Sequence, residues 1–204
     1  MGRKIGIMGG TFNPIHTGHL ILGEAAYTEL GLDLVWYMPA GNPPHKRILS
    51  VVSDEDRVEM VKAAISENEH FELSLHEMNE DGFTYTYRTL ESLKEMEPDA
   101  ELYFIMGGDS IFDFEKWREP ARIAAACTIV VATRNHVKAD ALNAHIAHLV
   151  KRFGADIRLL DTPNIDIASS EIREKVLHNQ SIRYYVPDRV RDYIYRKGLY
   201  TRPE

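Results

Sequence analysis

Two histidines, His16 and His19, follow closely on a glycine pair in the run Met8-Gly9-Gly10-Thr11-Phe12-Asn13-Pro14-Ile15-His16-Thr17-Gly18-His19. At the start of a helix, this spacing puts both imidazoles on one face of the first turn. Free backbone N–H groups and the positive end of the helix dipole point the same way. The arrangement is a site for an anion such as phosphate, with up to two imidazole donors. Gly9 and Gly10, after an apolar strand, are expected to let the backbone turn tightly and come close to a ligand. The glycine spacing matches neither the GxGxxG fingerprint nor the GxxxxGK[ST] loop. The bland alternative is a structural strand–turn–helix with two partly exposed histidines. Zinc is another, but no cysteine or nearby glutamate completes a ligand set.

Three further groups carry weaker signals. Pro39-Ala40-Gly41-Asn42-Pro43-Pro44-His45-Lys46 stiffens a loop and presents Lys46 near a strand end, although alone it reads first as a surface lysine in a turn. In Ile167-Ala168-Ser169-Ser170-Glu171-Ile172-Arg173, Ser169 or Ser170 can cap a helix and Arg173 can fork onto phosphate oxygens. Alone, that segment reads as a plain capped surface helix. Thr84-Tyr85-Thr86-Tyr87, Gly107-Gly108-Asp109-Ser110 and Trp117 together offer an aromatic platform with hydroxyls, suited to a planar ring bearing a polar group. Core packing explains Trp117 equally well. His145 and His148 repeat the histidine spacing, but within a helix and without a glycine turn, so a solvated helix face is expected there. His70, His76, His136 and His178 belong to no constellation and read as structural or surface residues.

The elements that must hold these groups alternate between strand and helix. Strands are predicted at Lys4–Met8, Leu34–Met38, Phe71–Leu75, Leu102–Met106, Thr128–Ala132 and Ile157–Leu160. Helices are predicted at Thr17–Leu30 (ended by Gly31), from Ser53, Thr84–Met96 with its entry, Trp117–Ala125, Ala139–Phe153, Ser170–Leu177 and Pro187–Arg196. The helix after Ser53 has a serine cap and acids in its first turn, with Val58, Val61, Ala64 and Ile65 on one side. This is an α/β pattern, a doubly wound and mostly parallel sheet followed by C-terminal helices from about residue 169 to 204. In such sheets ligands bind at the C-terminal strand ends, near the point where strand order reverses.

Composition narrows the class. The chain has 204 residues, 44% hydrophobic and 27% charged, which fits one domain that needs no disulfide or metal staple. Cys127 is the sole cysteine, so no internal disulfide and no cysteine-based zinc site is available. That fits a reducing, cytoplasmic compartment. A formal charge of −7 argues against bulk binding to nucleic acid or anionic lipid, though not against a locally positive pocket. Ile123–Ala132, the longest mostly apolar stretch, is too short to span a bilayer. The residues from Met1 run straight into a strand with no apolar leader.

The run from Gly9 to His19 resembles the HxGH-motif nucleotidyltransferases. Together with Pro43-Pro44-His45-Lys46, Trp117 and Ser169-Ser170-Glu171-Ile172-Arg173, it is most similar to the bacterial nicotinate-mononucleotide adenylyltransferases. The resemblance implies a Rossmann-like nucleotidyltransferase fold. It also implies transfer of the adenylyl group of ATP to nicotinate mononucleotide with Mg²⁺ on the ATP phosphates, giving deamido-NAD and pyrophosphate. Carried over, Gly9, Gly10, Thr11 and Phe12 would line the ATP turn and His16 and His19 would hold its phosphates. Ser169, Ser170 and Arg173 would take the β/γ end. Lys46 would contact phosphate, Trp117 would stack on the pyridine ring, Tyr85 and Thr86 would sit by the nicotinate, and Asp109 near a ribose. His16, His19, Lys46 and Arg173 would be the catalytic set. The partners implied are these two small molecules, with no nucleic acid or membrane and room for a homo-oligomer.

Two positions depart from the family pattern. Ala168 stands where a serine is usual, and Arg88 where an aspartate is frequent. The nearest competing family, the pantetheine-phosphate adenylyltransferases, usually replaces the first histidine by Thr or Ser and is shorter. A nucleotide sensor without catalysis would be expected to have lost a histidine or Arg173. A metal hydrolase built on His16 and His19 would hold zinc tightly.

Overall fold

The computed structural model describes residues 2–41, 52–79, 83–132, 139–163 and 165–201. Lys46, with most of the loop expected to carry it, lies outside these residues, as do His136 and Gly82. Six strands form one parallel sheet: β1 Lys4–Gly10, β2 Leu34–Pro39, β3 Phe71–Leu73, β4 Glu101–Gly107, β5 Thr128–Ala132 and β6 Ile157–Leu160. Their spatial order is β3-β2-β1-β4-β5-β6. The order reverses between β1 and β4, and the crevice at their C-terminal ends is where such a sheet takes its ligands.

The helices are α1 Thr17–Leu30, α2 Asp54–Ile65, α3 Thr86–Met96, α4 Gly108–Phe112, α5 Pro120–Ala126, α6 Ala139–Phe153, α7 Ser169–Leu177 and α8 Asp188–Lys197. Strand side chains alternate between faces, and both faces are covered, so β1 and β4 run almost continuously apolar. Met8, Val35, Tyr37, Ile105 and Val130 pack with α1, α2, α7 and α8 through Ala26, Met60, Ile172 and Val190. Ile5, Ile7, Phe104, Ile129 and Val131 pack with α3, α5 and α6 through Leu90, Leu93, Ile123 and Leu149.

The expected helix signals operate at α1 and α2. Gly31 ends α1 with φ 60°, and the Ser53 hydroxyl accepts the Asp56 N–H at 3.1 Å. Four expectations are corrected. Trp117 does not open a helix: it follows a short 3₁₀ turn in an extended conformation, and α5 starts at Pro120, whose fixed φ suits the first helical position. Gly107-Gly108-Asp109 does more than close β4, because Gly108–Phe112 winds into α4. Neither Ser169 nor Ser170 caps α7. Its N-cap is Ala168, without a side-chain cap. On α2 Val61 and Ile65 are buried as expected, but so are Arg57 and Met60, whereas Val58 and Ala64 are only half-buried.

His145 and His148 also depart from a plain solvated face. His145 Nε2 lies 3.0 Å from the Ile111 carbonyl and the ring stacks on Phe112, while His148 Nε2 lies 3.1 Å from Glu115 Oε1. The pair ties α6 to the segment after β4. No helix among the described residues is long and apolar enough to cross a membrane.

Candidate active site

β1 continues through Gly9 and Gly10, and the chain turns two residues later at Phe12, whose φ is 48°. The left-handed residue is therefore not a glycine, contrary to expectation. A non-glycine residue in this region costs on the order of 1 kcal/mol and persists where its surroundings over-determine it. Phe12 is 2% exposed, and its ring meets His19 edge-on at 5.1 Å and Tyr37 at 6.1 Å. A Cβ on Gly10 would come within 3.1 Å of that ring. The first glycine has a different role: Gly9 is exposed and lines the cleft beyond the strand.

The turn delivers His16 to the N-cap of α1, with His19 following in its first turn. The rings stack at 3.7 Å between centroids, and His16 is 6% exposed. The His16 N–H donates to His19 Nδ1 at 3.2 Å, and the His19 N–H donates to the His16 carbonyl at 2.9 Å. Because Nδ1 of His19 accepts, a neutral ring there carries its proton on Nε2. This backbone anchor fixes the second histidine by the same reciprocity as a capping box.

Not all first-turn donors of α1 face a ligand. The Thr17 N–H donates to the Tyr185 carbonyl at 2.9 Å, and its hydroxyl donates to the Tyr184 carbonyl at 3.1 Å. Expecting free amides there overlooked the segment between α7 and α8, which covers this end of the helix.

Side chains from distant elements hold the turn itself. Arg57, on α2, is fully buried and donates from Nη1 to the Thr11 carbonyl at 2.8 Å and from Nη2 to Asp54 at 2.6 Å. Arg173, on α7, donates to the Asn13 carbonyl at 2.8 Å, and Ser169 donates its hydroxyl to the Pro14 carbonyl at 2.9 Å. Ser170 is exposed at the first turn of α7. The Tyr200 hydroxyl donates to Asn13 Oδ1 at 2.8 Å. Burial pushes the Tyr200 phenol well above its ordinary pKa, even though Arg173 and Arg57 pull it down. Neither Arg57 nor Tyr200 stood out in the sequence. The available signal was an arginine four residues before Val61, on the apolar side of α2.

A cleft of about 310 Å³ opens at the ends of β1 and β4. Gly9, His16 and His19 line one side of it, and Asp109, Ser110 and Trp117 also contribute to its lining. Asp109 is exposed on α4, and Trp117 is half-buried against Phe104 at 6.0 Å and Phe114 at 5.8 Å. The structure thus brings together Gly9, both histidines, Asp109 and Trp117. Gly10, Thr11, Phe12, Ser169, Ser170 and Arg173 are absent from the cleft lining, and several of them support the turn from behind.

Tyr85 and Thr86, at the start of α3, also lie off this lining. Tyr85, like Trp117, packs at the edge of the same core, with the Arg118 and Arg88 guanidiniums 5.5 and 5.7 Å from its ring centroid. Arg88 is exposed and donates to the Tyr87 hydroxyl at 3.0 Å. Cys127 is a buried free thiol and is not among the described residues lining this cleft.

With this geometry in view, the chain proves similar to known nucleotidyltransferases. Residues 7–175 match the cytidylyltransferase-like family, and the chain belongs to it. A relative from Lachnoclostridium phytofermentans is 43% identical over 97% of this chain and 99% of its own length. One from Synechococcus is 39% identical over 98% of this chain and 96% of its own. Both carry the name "Probable nicotinate-nucleotide adenylyltransferase". Within the family, then, the chain is a member of the nicotinate-nucleotide adenylyltransferases. Its fold is shared with Plasmodium falciparum nicotinic acid mononucleotide adenylyltransferase complexed with NaAD, at a TM-score of 0.77, 24% identity and 97% coverage of both chains.

Proposed function

We propose that this chain transfers the adenylyl group of ATP to nicotinate mononucleotide, releasing pyrophosphate and forming deamido-NAD. The observation that carries the proposal is the stacked, backbone-anchored pair His16 and His19 in the cleft where strand order reverses, together with Trp117 in the same lining. The nucleophile, a phosphate oxygen, is already ionised at neutral pH, and pyrophosphate is a competent leaving group. No strong base, strong acid or covalent intermediate is required. The protein's task is in-line placement and stabilisation of charge on the α-phosphate and the bridging oxygen.

In this reading Gly9, Gly10, Thr11 and Phe12 shape the ATP side. The His19 Nε2–H, fixed by its Nδ1 acceptor bond, donates to phosphate beside His16. Lys46 adds a cation there, and Ser169, Ser170 and Arg173 face the β/γ end from the uncapped start of α7. Arg173 and Ser169 keep one hydrogen bond each on the 13–14 backbone, so the β/γ contact and the support of the turn share the same side chains. Trp117 stacks on the pyridine ring, Tyr85 and Thr86 flank the nicotinate group, and Asp109 meets a ribose.

Among the described residues no three His, Cys, Asp or Glu side chains are grouped to hold a metal, and Asp109 is the one carboxylate among the described lining residues. This donor set suits Mg²⁺ that arrives on the triphosphate and keeps much of its water. When bound there it neutralises charge on the departing pyrophosphate. The lone thiol fits an enzyme of the cytoplasm.

The test is pyrophosphate release from ATP and Mg²⁺ with nicotinate mononucleotide, nicotinamide mononucleotide or phosphopantetheine as acceptor. Release with the nicotinate compound alone is expected. Release with phosphopantetheine instead would overturn the acceptor assignment, and no release with any acceptor would overturn the proposal.

A further inference from the structure

The turn from Thr11 to Pro14 is gripped by residues that are not themselves among the described residues lining the cleft. Arg57 binds the Thr11 carbonyl with a fully buried guanidinium, whose other arm is neutralised by Asp54. Tyr200 reaches Asn13 from beyond α8, across a sequence separation of 187 residues. Asn13 itself is 5% exposed, so the bond is shielded from water. Hiding a charged guanidinium costs several kcal/mol, and removing its partner strands it. Such a group is a poor choice for simple packing, since an apolar side chain of similar size fills the same space. What it supplies is direction: a planar donor fork aimed at one carbonyl. Two residues after Asn13 the chain reaches Ile15, and the next is His16. A shift of the 11–14 backbone therefore moves the imidazole pair.

We propose that Arg57 and Tyr200 are positioning residues for adenylyl transfer, acting through the 11–14 backbone to set His16 and His19 against the α-phosphate. This presumes that the Thr11–His19 segment handles the triphosphate. The network contains its own control. Tyr193 also buries a phenol and donates to a carboxylate oxygen, Asp56 Oδ1, at 2.8 Å, but that acceptor is on α2 and not on the turn. Tyr193 and Tyr200 thus make hydrogen bonds of equal length in neighbouring positions, and only one of them touches the turn.

The experiment compares Tyr200→Phe and Tyr193→Phe in steady-state kinetics, with the melting temperature and folded fraction of each variant measured alongside. Both substitutions keep the ring. Tyr200→Phe is expected to lower kcat on the order of tenfold, with KM for nicotinate mononucleotide changed less than about twofold. Tyr193→Phe is expected to keep kcat within about twofold while losing a comparable amount of thermal stability. Arg57→Lys keeps the charge but loses the planar donor fork and is expected to lower kcat by at least about fivefold; kcat within about twofold of wild type would count against the inference. Unchanged kcat in Tyr200→Phe, or equal losses in both tyrosine variants, would overturn the inference. Wild-type protein inactive with ATP and nicotinate mononucleotide would instead overturn the reaction assignment.

Discussion

Gly18 and His16 are closer than a side chain at position 18 would ordinarily allow: a Cβ there would lie 3.1 Å from His16 Nδ1 and 3.2 Å from its Cε1. The ring occupies the space above the first turn of α1 where a side chain would otherwise stand. The glycine between the two histidines is thus part of the geometry that stacks them at 3.7 Å.

Gly18→Ala separates activity from stability. Alanine favours the helix by up to about 1 kcal/mol, so the melting temperature is expected to hold or rise slightly. The imidazole must move by a few tenths of an ångström, and kcat is expected to drop about tenfold. Parallel melting curves and pyrophosphate-release rates check both halves. Full activity would show that the His16 ring has freedom the stacked pair does not suggest.

Trp117 is half-buried yet lines the cleft, so its removal acts on both packing and binding. Stacking of a side chain on a heteroaromatic base contributes about 1–3 kcal/mol. Trp117→Ala is expected to raise KM for nicotinate mononucleotide by roughly 10–100-fold and to leave KM for ATP within a few-fold. Trp117→Phe retains a ring and is expected to recover most of the loss. An equal effect on both substrates would place Trp117 in the scaffold alone.

Glu115 supplies a pH-dependent term. The hydrogen bond from His148 holds its carboxyl below the ordinary carboxylate range, against an opposing effect of desolvation, with help from the charges of His148 and Arg152. A lowered native pKa means that the stabilisation is present above the unfolded value of about 4.3 and is lost as pH falls through the lower, native value. Melting temperatures of wild type and Glu115→Gln are therefore expected to differ most near pH 6 and to converge in strong acid. The difference is small, because the group is near solvent. A constant gap across this range would refute the linkage.

Cys127 is expected to be inert in the folded chain. Burial pushes its thiol up to about 12, against a lowering contribution from the Phe104 backbone, and its Sγ–H points at the Ile123 carbonyl at 3.5 Å. The reactive thiolate is then scarce at neutral pH, and its path is blocked. Alkylation monitored by mass is expected to be absent in native protein at pH 8 and complete in guanidinium chloride. Rapid native labelling would show that the α5–β5 junction opens locally.

The strand–helix alternation was legible because a parallel sheet covered on both faces writes near-continuous apolar runs, and the boundaries at Thr17–Leu30, Thr128–Ala132, Ala139–Phe153 and Ile157–Leu160 agree with it. The glycine–histidine motif was legible because its chemistry is local. The misses are where tertiary contact decides. Phe12 takes the left-handed turn because His19 and Tyr37 pack around its ring, which no local propensity encodes. Ser169 abandons the cap position to reach Pro14, across 155 residues. Arg57 drew no attention in the sequence, yet it is a buried clamp, because the carbonyl it binds arrives from the end of β1. Pro120 was a readable signal for the true start of α5, and the apolar character of Trp117 obscured it.

The 11–17 turn is completed by residues made long after it. Arg173, Tyr184 and Tyr200 meet it across separations of 160, 167 and 187 residues. At about 5–20 residues per second, a ribosome needs roughly 10–40 s to travel from Asn13 to Tyr200. Through most of that interval the nascent chain displays its signature motif with Arg57 already made but without the clamps from the far end of the chain. The brace is complete only when Tyr200 has been made, so a prematurely terminated chain keeps both histidines but lacks the far-end residues that brace their turn.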